Sequence, residues 1–560
     1  MDWRDARWLG ALALAFLGTR LAWLVANAGS AAYWEESQRW MVAHEILNGL
    51  RQPLLSYQAD HYQGGTLAIS LLIVPFFALL GESLVHLKFA ALLTSTAALC
   101  ALYGLARLGA GRPAAVLAAV GYVAGPPLVA YWGLVPFGSH GESTLFTLAS
   151  FLLLLGLLSE RWRSGRAWFG FGVVAGLGIW FCYTSALGLL ACALAWLLLA
   201  GLPRPRELLA VGSGAALGLA PWLFYNLRTG FAGFARVLHF LGMGDPMDFW
   251  EPQSLGERFA ALLARDLPVG LLLPVPDTLA APSGTLLGVG FALPLYVGAS
   301  AGALRAARAL RSPRQREAAR AGRGPLELLL LLYVAVFALF YGISAFVPSA
   351  EEGPVAYRLF LPLAAALLLL GAASAVAGWE RGGWRRAAAL AGGASALAAS
   401  TVGTALLASR PPDPRQEVSL SRGYFVQGVL LHRKFEDDLP RALAWTPGLS
   451  EEDADAVLIG IGVGMEYRFA RDGRVEAVRE RLRALGPRER ARILIGISRG
   501  LRQEAEAIEE RHRRGAETLR DRTSAPNLAA LVTLVRSEAA AIPRSAWPPG
   551  IALTHGPALQ

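Results

Sequence analysis

The sequence has little charge and few cysteines. Of its 560 residues only 17% are charged, whereas 54% are hydrophobic, a balance that is rare in soluble domains. The cysteines, Cys100, Cys182 and Cys192, all lie within apolar stretches, so the sequence has neither a disulfide framework nor a zinc-binding spacing. What is abundant instead is uncharged sequence, in stretches of roughly 20 residues that are long enough to cross about 30 Å of hydrocarbon.

The net charge of +10 does not indicate a nucleic-acid partner. The arginines are concentrated in short loops between the apolar stretches, a distribution typical of the cytoplasmic loops of membrane proteins. Because lipid offers the backbone no hydrogen-bond partner, each apolar stretch is predicted to be a helix. We therefore expect an all-α polytopic membrane protein.

The basic residues also predict the topology. The first span, about 8–26, follows Arg4 and Arg7 and has no cleavage site, so it is expected to be retained with the N-terminus in the cytoplasm. The stretch 66–80 is short and contains Pro75. We predict that it enters the membrane and returns, because only then do all the basic loops fall on one side. In total the sequence predicts about eleven spans. They lie at approximately 8–26, 83–109, 114–133, 141–158, 167–184, 186–201, 208–226, 284–304, 326–347, 358–377 and 387–408.

The composition changes near Arg410. Residues 1–409 are predicted to form the transmembrane domain, with a catalytic loop at 28–83, and residues 410–560 a soluble α-helical domain that an odd number of spans places on the exported side. The tail contains Gly460-Ile-Gly-Val-Gly464. We interpret this motif as close helix packing rather than a phosphate loop, since no strand–turn–helix unit accompanies it.

Two adjacent carboxylates, Glu35 and Glu36, open the first exported loop. A carboxylate there can accept a proton from a hydroxyl group or hold a cation. Helix capping with solvated charge explains the pair equally well. The residues 36–50 that follow have helical apolar spacing, which predicts a short amphipathic helix lying in the membrane interface.

Further polar groups fall on the predicted exported side. Asp60, His61 and Tyr62 precede two glycines that permit tight turns, so these residues form either a sugar pocket or an ordinary polar loop. His140 and Glu142 lie between two spans. Their spacing matches no dedicated metal cage, and hydrogen bonding to a polar substrate is the preferred interpretation.

Two cations stand at the outer ends of apolar helices. Arg358 is costly there without an anion, and a lipid phosphate or a diphosphate leaving group fits its planar guanidinium group. Snorkelling to lipid headgroups is the alternative. Lys88 is a second, weaker candidate for the same role.

In their order along the chain, these pieces resemble the GT-C superfamily of membrane glycosyltransferases. The resemblance is to family 39-like proteins related to protein O-mannosyltransferases and the aminoarabinose transferase, and it covers roughly residues 1–405. The pieces that carry it are Glu35-Glu36, His61-Tyr62-Gln63-Gly64-Gly65-Thr66-Leu67, Leu79-Leu80-Gly81-Glu82-Ser83, Pro221-Trp222…Asn226 and Arg358-Leu359…Pro362. The family usually begins its acidic pair with Asp, whereas this chain has Glu35.

The resemblance implies a bacterial inner-membrane enzyme. It would transfer a sugar from a polyprenyl-phosphate-linked donor, with inversion, to a lipid, glycan or protein acceptor on the exported face. Glu35 would be the general base and Glu36 a positioning group. The predicted substrate-binding residues are Asp60, His61, Tyr62, Gln63, Lys88, His140, Glu142 and Arg358. A divalent cation stays open as a cofactor.

Two other functions are compatible with the composition. A transporter of polyprenyl lipids or solutes usually has charged or broken helices at mid-membrane. Here the centres of the spans are nearly free of charge, which favours the transferase. A non-enzymatic scaffold that recruits partners through its exported tail is the third hypothesis.

Overall fold

The computed structural model describes residues 2–59, 61, 64–159, 162, 164–238, 254–272, 282–310, 324–343, 353–435, 438–513 and 519–548. All regular secondary structure within these ranges is helical, in agreement with the predicted all-α class. The helices are α1 (Trp3–Asn27), α2 (Glu36–Asn48), α3 (Gly65–Leu80), α4 (Leu84–Ala110), α5 (Arg112–Ala124), α6 (Pro127–Trp132), α7 (His140–Leu158), α8 (Gly165–Phe181), α9 (Ser185–Ala200), α10 (Pro205–Gly218), α11 (Ala220–Arg228), α12 (Ala232–Leu238), α13 (Leu255–Ala261), α14 (Leu267–Leu272), α15 (Pro282–Leu310), α16 (Gly324–Ile343), α17 (Leu361–Arg381), α18 (Gly383–Ala408), α19 (Leu420–Lys434), α20 (Leu439–Leu443), α21 (Glu451–Asp472), α22 (Val475–Arg483), α23 (Pro487–Arg513) and α24 (Leu519–Ala540).

The chain divides into two compact units. Among the described residues, the first unit takes the chain up to Tyr33 and most of the residues from Gly64 to Gln416, and the second takes Trp34–His61 together with the tail from Glu417. The acidic loop is therefore grouped with the tail. The predicted boundary at residue 410 between a membrane domain and an exported domain stays a prediction.

Among the described residues, six helices are long and apolar enough to cross a membrane, which is consistent with a multi-pass membrane protein. The number rises to seven if α10 and α11, bent by 59° at their junction, are counted as one broken span. Four more apolar helices, α3, α5, α8 and α9, are shorter than 18 residues. The predicted count of about eleven spans is not confirmed.

The predicted span 114–133 is two helices rather than one. Gly125, with φ +59°, and Pro126 separate α5 from α6. The break frees backbone carbonyl groups, and in an apolar setting these need donors. Thr404 donates to the carbonyls of Ala124 and Gly125, at 3.3 Å in both cases. Pattern reading missed this break because α5 and α6 together have the length and composition of one span.

An ionic cluster joins the beginning of α1 to the end of α4. Asp5, which is buried, accepts from Arg107 Nε at 2.9 Å and from Arg112 Nε at 2.7 Å. The start of the first long helix and the end of the second are therefore on the same side of the first unit. The intervening α3 has 16 residues, about 24 Å of helix. This arrangement is consistent with the predicted return of α3, and the topology stays a prediction.

The core of the first unit surrounds α17. Every residue of this helix from Leu361 to Leu370 is buried, and a 3₁₀ segment, Gly353–Phe360, leads into it. Arg358 belongs to that segment. The central helix therefore holds the candidate cation at its N-terminal entrance.

Glycines set the helix spacing in the second unit. An added Cβ on Gly428, Gly460, Gly462 or Gly496 would lie only 2.0–2.2 Å from a backbone carbonyl oxygen of the neighbouring helix. Side chains are excluded where α19 meets α21 and where α21 meets α23. The interpretation of Gly460–Gly464 as a helix-packing motif is confirmed.

The helix α2 differs from the predicted interfacial helix. Its polar residues Glu36, Arg39 and Glu45 are buried, whereas Leu47 and Leu50 are exposed. The polar side chains of α2 face the rest of the second unit, where α19 packs against α2. The pattern reading did not foresee a tail helix as the packing partner of α2, and the position of this helix in the membrane interface stays a prediction.

Candidate active site

The candidate residues of the first unit surround an aromatic cluster formed by Tyr33, Trp132 and Phe137. Their ring centroids are 5.4–5.7 Å apart. Arg358 covers Phe137, with its guanidinium carbon 4.0 Å from the ring centroid. This contact is within the range of a cation–π interaction and holds the guanidinium in one place. The cluster was not predicted, although Phe137 lies only three residues before His140, one of the predicted substrate-binding residues.

Two buried donors of this cluster have no acceptor among the described residues. They are Arg358 Nη1 and Trp132 Nε1. Buried polar groups nearly always have a hydrogen-bond partner, so such atoms call for an explanation. An anion with several oxygens, such as a phosphate, can accept from a guanidinium group in its planar fork geometry.

Lys88 is fully buried, and its ammonium group contacts the backbone. Its Nζ donates to the carbonyl oxygens of Ala31 at 2.6 Å and Leu134 at 3.4 Å. The hydroxyl of Tyr131 donates to the next carbonyl, that of Ala32, at 2.7 Å. The chain is thus fixed just before it enters the acidic loop. The predicted contact of Lys88 with a phosphate stays a prediction.

His140 and Glu142 stand at the start of α7 with different partners. His140 Nδ1 lies 3.0 Å from Thr184 Oγ1 and 3.5 Å from Cys182 Sγ. The carboxylate of Glu142 accepts from the backbone amides of Gly138 at 2.9 Å and Ser139 at 3.2 Å. Glu142 therefore shapes the loop that carries Phe137. Its predicted contact with substrate, like that of His140, stays a prediction.

Close backbone contacts hold that loop. Gly138 has φ +74°, and a Cβ there would lie 2.6 Å from Thr66 Cα. A Cβ on Gly65 would lie 2.3 Å from the carbonyl oxygen of Gly138. Gly65, a glycine of the predicted turn, is thus required for close approach, whereas Gly138 is required for conformation as well.

Gly138→Ala is expected to destabilise the protein much more than Gly81→Ala. Gly81 also has positive φ, +84°, but a Cβ there would have nothing within 4 Å. The control therefore carries only backbone strain, of about 1–3 kcal/mol, whereas Gly138→Ala adds a clash with the backbone of Gly65 and Thr66. Thermal unfolding of the purified variants measures the difference, and equal shifts in Tm would contradict the packing argument.

In the second unit Glu35 and Glu36 differ in access. Glu36 is fully buried, whereas the side chain of Glu35 is 28% exposed. The buried Arg39 places Nη2 3.7 Å from Glu35 Oε2, and its Nη1 donates to the backbone carbonyl of Glu35 at 3.1 Å. Glu35 is therefore the carboxylate of the pair that a substrate can reach.

A buried carboxylate that was not predicted to be functional lies on α2. Glu45 accepts from the hydroxyls of Tyr57 at 2.9 Å and Tyr424 at 2.6 Å, and from Arg51 Nε at 2.8 Å. Burial, and then the neighbouring Glu45 carboxylate, raise the pKa of both tyrosines above the usual range. This network ties α2 to α19. Its partners are up to 379 residues apart, so no local pattern signals it.

The polar stretch that begins at Asp60 is described only in part. His61 Nε2 lies 3.1 Å from the carbonyl oxygen of Lys434, and Lys434 donates to the carbonyls of Ser56 at 2.9 Å and Gln58 at 2.8 Å. Asp60, Tyr62 and Gln63 lie outside the described residues. The predicted sugar contacts of all four residues stay predictions.

No group of three or more His, Cys, Asp or Glu side chains is placed to hold a metal ion in the part of the chain that the structure describes. Metal dependence therefore stays open, as the sequence left it.

Residues 65–225 match the family described as dolichyl-phosphate-mannose-protein mannosyltransferase. No curated protein matches the chain. Similar solved structures include the apo oligosaccharyltransferase of Archaeoglobus fulgidus, with 14% identity, a TM-score of 0.45, and coverage of 77% of this chain and 58% of that one. They also include ArnT from Cupriavidus metallidurans bound to undecaprenyl phosphate, with 14% identity, a TM-score of 0.42, and coverage of 94% of this chain and 77% of that one.

The chain spans about 58% of the length of the oligosaccharyltransferase that it matches. The family match covers the segment that carries Gly65, Lys88, Phe137, His140 and Glu142. This match confirms the resemblance to the GT-C membrane glycosyltransferases over residues 65–225, where the chain is similar to the dolichyl-phosphate-mannose-protein mannosyltransferase family.

Proposed function

We propose that this protein transfers a sugar from a polyprenyl-phosphate-linked donor to an acceptor hydroxyl on the exported face of a bacterial inner membrane. The observation that carries the proposal is Arg358, whose buried Nη1 has no acceptor among the described residues. The matched family is named for dolichyl-phosphate-mannose, a sugar on a polyprenyl phosphate. The acceptor class, whether lipid, glycan or protein, is left open.

The proposed reaction is a single displacement. Glu35 accepts the proton of the acceptor hydroxyl while the oxygen of that hydroxyl attacks the anomeric carbon of the sugar. The bond between that carbon and the phosphate oxygen breaks, and the lipid phosphate leaves with the bonding electrons. Attack opposite the leaving group inverts the anomeric centre. Glu35 then gives the proton to water.

The cations act on the leaving group. The negative charge on the phosphate oxygens is redistributed as the bond breaks, and a fixed guanidinium group stabilises it. Phe137 holds Arg358 by the cation–π contact at 4.0 Å, so the charge does not have to reorganise during the reaction. In this proposal Lys88 also stabilises the charge of the phosphate while it holds the backbone before the acidic loop. Glu36 positions Glu35.

The test is sugar transfer by the purified protein in vesicles that contain a panel of polyprenyl-phosphate sugars. Arg358→Gln is expected to reduce turnover about 100- to 1,000-fold, because a donor aimed at developing charge is lost. Arg358→Lys keeps the charge but loses the planar fork, so an intermediate rate is expected. Lipid extracts of a deletion strain should accumulate the one donor that the protein uses.

Arg228→Gln is the matched control. Arg228 also covers a phenylalanine ring, that of Phe224, at 5.1 Å, but it is exposed at the end of α11. Its loss is expected to leave turnover unchanged. Full turnover by Arg358→Gln, or equal losses in the two variants, would reject the assignment of Arg358.

A further inference from the structure

A crevice of about 790 Å³ lies in the first unit, between α5, α15, α17 and α18. This volume is within the range of about 300–1,000 Å³ that is usual for ligand pockets. Its walls are mainly apolar and include Leu117, Leu295, Leu368 and Ala396. Two of its helices, α15 and α17, approach each other closely at glycines, because a Cβ on Gly298 would lie 2.9 Å from Gly371 Cα. The walls offer a fitting surface for hydrocarbon chains.

The rim of the crevice is basic and aromatic. Trp379, Arg381, Trp384 and Arg385 line it where α17 ends and α18 begins. Trp384 is 76% exposed, and the guanidinium carbon of Arg385 lies 5.6 Å from its ring. Tryptophan and arginine together are typical of the level of lipid headgroups.

The charge at this rim is positive. Glu380 is the acidic residue of the rim, and the two rim arginines outnumber it. Arg386 adds a third guanidinium group, 3.7 Å from the Trp379 ring. Basic pockets between membrane helices bind anionic headgroups. Arg305 also lines the crevice but is already paired with Glu327, at 2.7 Å.

The crevice is separate from the site around Arg358. Arg358 precedes α17 and Arg381 ends it, and the helix between them has 21 residues, or about 30 Å. The two guanidinium groups thus stand at opposite ends of one buried helix. Along α18 the lining residues extend from Trp384 to Ser400, about 24 Å of helix, which is enough for an acyl chain that runs from the headgroup level to the bilayer midplane.

We propose that this crevice is a binding site for an anionic phospholipid, whose acyl chains occupy the apolar walls and whose phosphate group lies at Arg381 and Arg385. The topology predicted from the sequence puts this rim in the cytoplasmic leaflet. The site is independent of sugar transfer.

The test is binding of fluorescent phosphatidylglycerol and phosphatidylcholine to the full-length protein purified in detergent. Wild type is expected to prefer phosphatidylglycerol. The double variant Arg381→Gln/Arg385→Gln should lose about 25-fold in phosphatidylglycerol affinity, at roughly fivefold for each arginine, and little in phosphatidylcholine affinity. Arg204→Gln/Arg206→Gln, which changes two exposed arginines of another basic loop, is the control and should change neither.

A second variant fills the crevice. Gly393 lines it, and a Cβ there would have nothing within 4 Å. Gly393→Leu is therefore expected to fold and to weaken both lipids at least about tenfold, because the acyl chains lose their space. Gly212→Leu is the control, since Gly212 lies in α10 with equal space around it and outside the crevice. Equal affinity for the two lipids in wild type, effects shared by the controls, or full displacement by farnesyl phosphate would overturn the proposal.

Discussion

Glu35→Gln is expected to reduce sugar transfer about 100- to 10,000-fold, the usual contribution of a general base. Glutamine keeps the size and the hydrogen-bonding shape of the side chain but cannot accept the proton of the acceptor hydroxyl. The side chain is 28% exposed, so its replacement is not expected to affect folding. Initial rates with saturating donor and acceptor measure the effect, which should fall on kcat rather than KM because the lost interaction forms in the transition state.

The control for Glu35 is Glu452→Gln, which removes an exposed carboxylate from the first turn of α21 in the same unit. This variant should transfer sugar at the wild-type rate. Circular dichroism and membrane yield must match wild type in both variants. Wild-type turnover by Glu35→Gln would remove Glu35 from the mechanism and leave another carboxylate as the base.

Glu45→Ala is expected to lower the free energy of unfolding of the second unit by about 3–5 kcal/mol. The change leaves the hydroxyls of Tyr57 and Tyr424 and the guanidinium group of Arg51 without their shared acceptor, and buried groups without partners are costly. The network joins α2, which begins one residue after Glu35, to α19 of the tail. A loss of sugar transfer is expected with the loss of stability.

The matched control for Glu45 is Glu476→Ala. Glu476 also accepts from an arginine, Arg479 Nη1 at 2.7 Å, but its side chain is 74% exposed. Exposed ion pairs contribute about 0–1 kcal/mol, so this variant should unfold almost as wild type does. Denaturant titration followed by circular dichroism compares the two. Equal stability of both variants would show that the buried network does not hold α2.

The sequence predicted the elements whose signals are local. Patterns within one segment predict the helix α4 and the packing glycines of the tail. The distribution of arginines predicts the return of α3. The break at Gly125 and the burial of α2 cannot be predicted in this way, because each depends on a partner far along the chain. Thr404 supplies the donor at the break, and Tyr424 supplies a hydroxyl to Glu45.

The candidate site follows the same rule. Arg358 was predicted to bind an anion because a lone guanidinium group at the mouth of an apolar helix needs one. Its buried Nη1 has no acceptor among the described residues, which is consistent with that prediction. Trp132 and Phe137 lie beside it, and nothing in the local sequence distinguishes them from other aromatic residues. Glu142 was selected as a polar group between two spans on the exported side, but its observed partners are the amides of Gly138 and Ser139. Sequence reasoning finds unusual charges more readily than the neutral groups that hold them.

The ionic cluster of Asp5, Arg107 and Arg112 has a consequence for biosynthesis. Asp5 is almost fully enclosed, and its cationic partners are synthesised about one hundred residues later. Until α4 has emerged from the ribosome, the first helix carries a carboxylate that lacks these two arginines. The first two long helices therefore gain their final arrangement together, once the end of α4 has been synthesised.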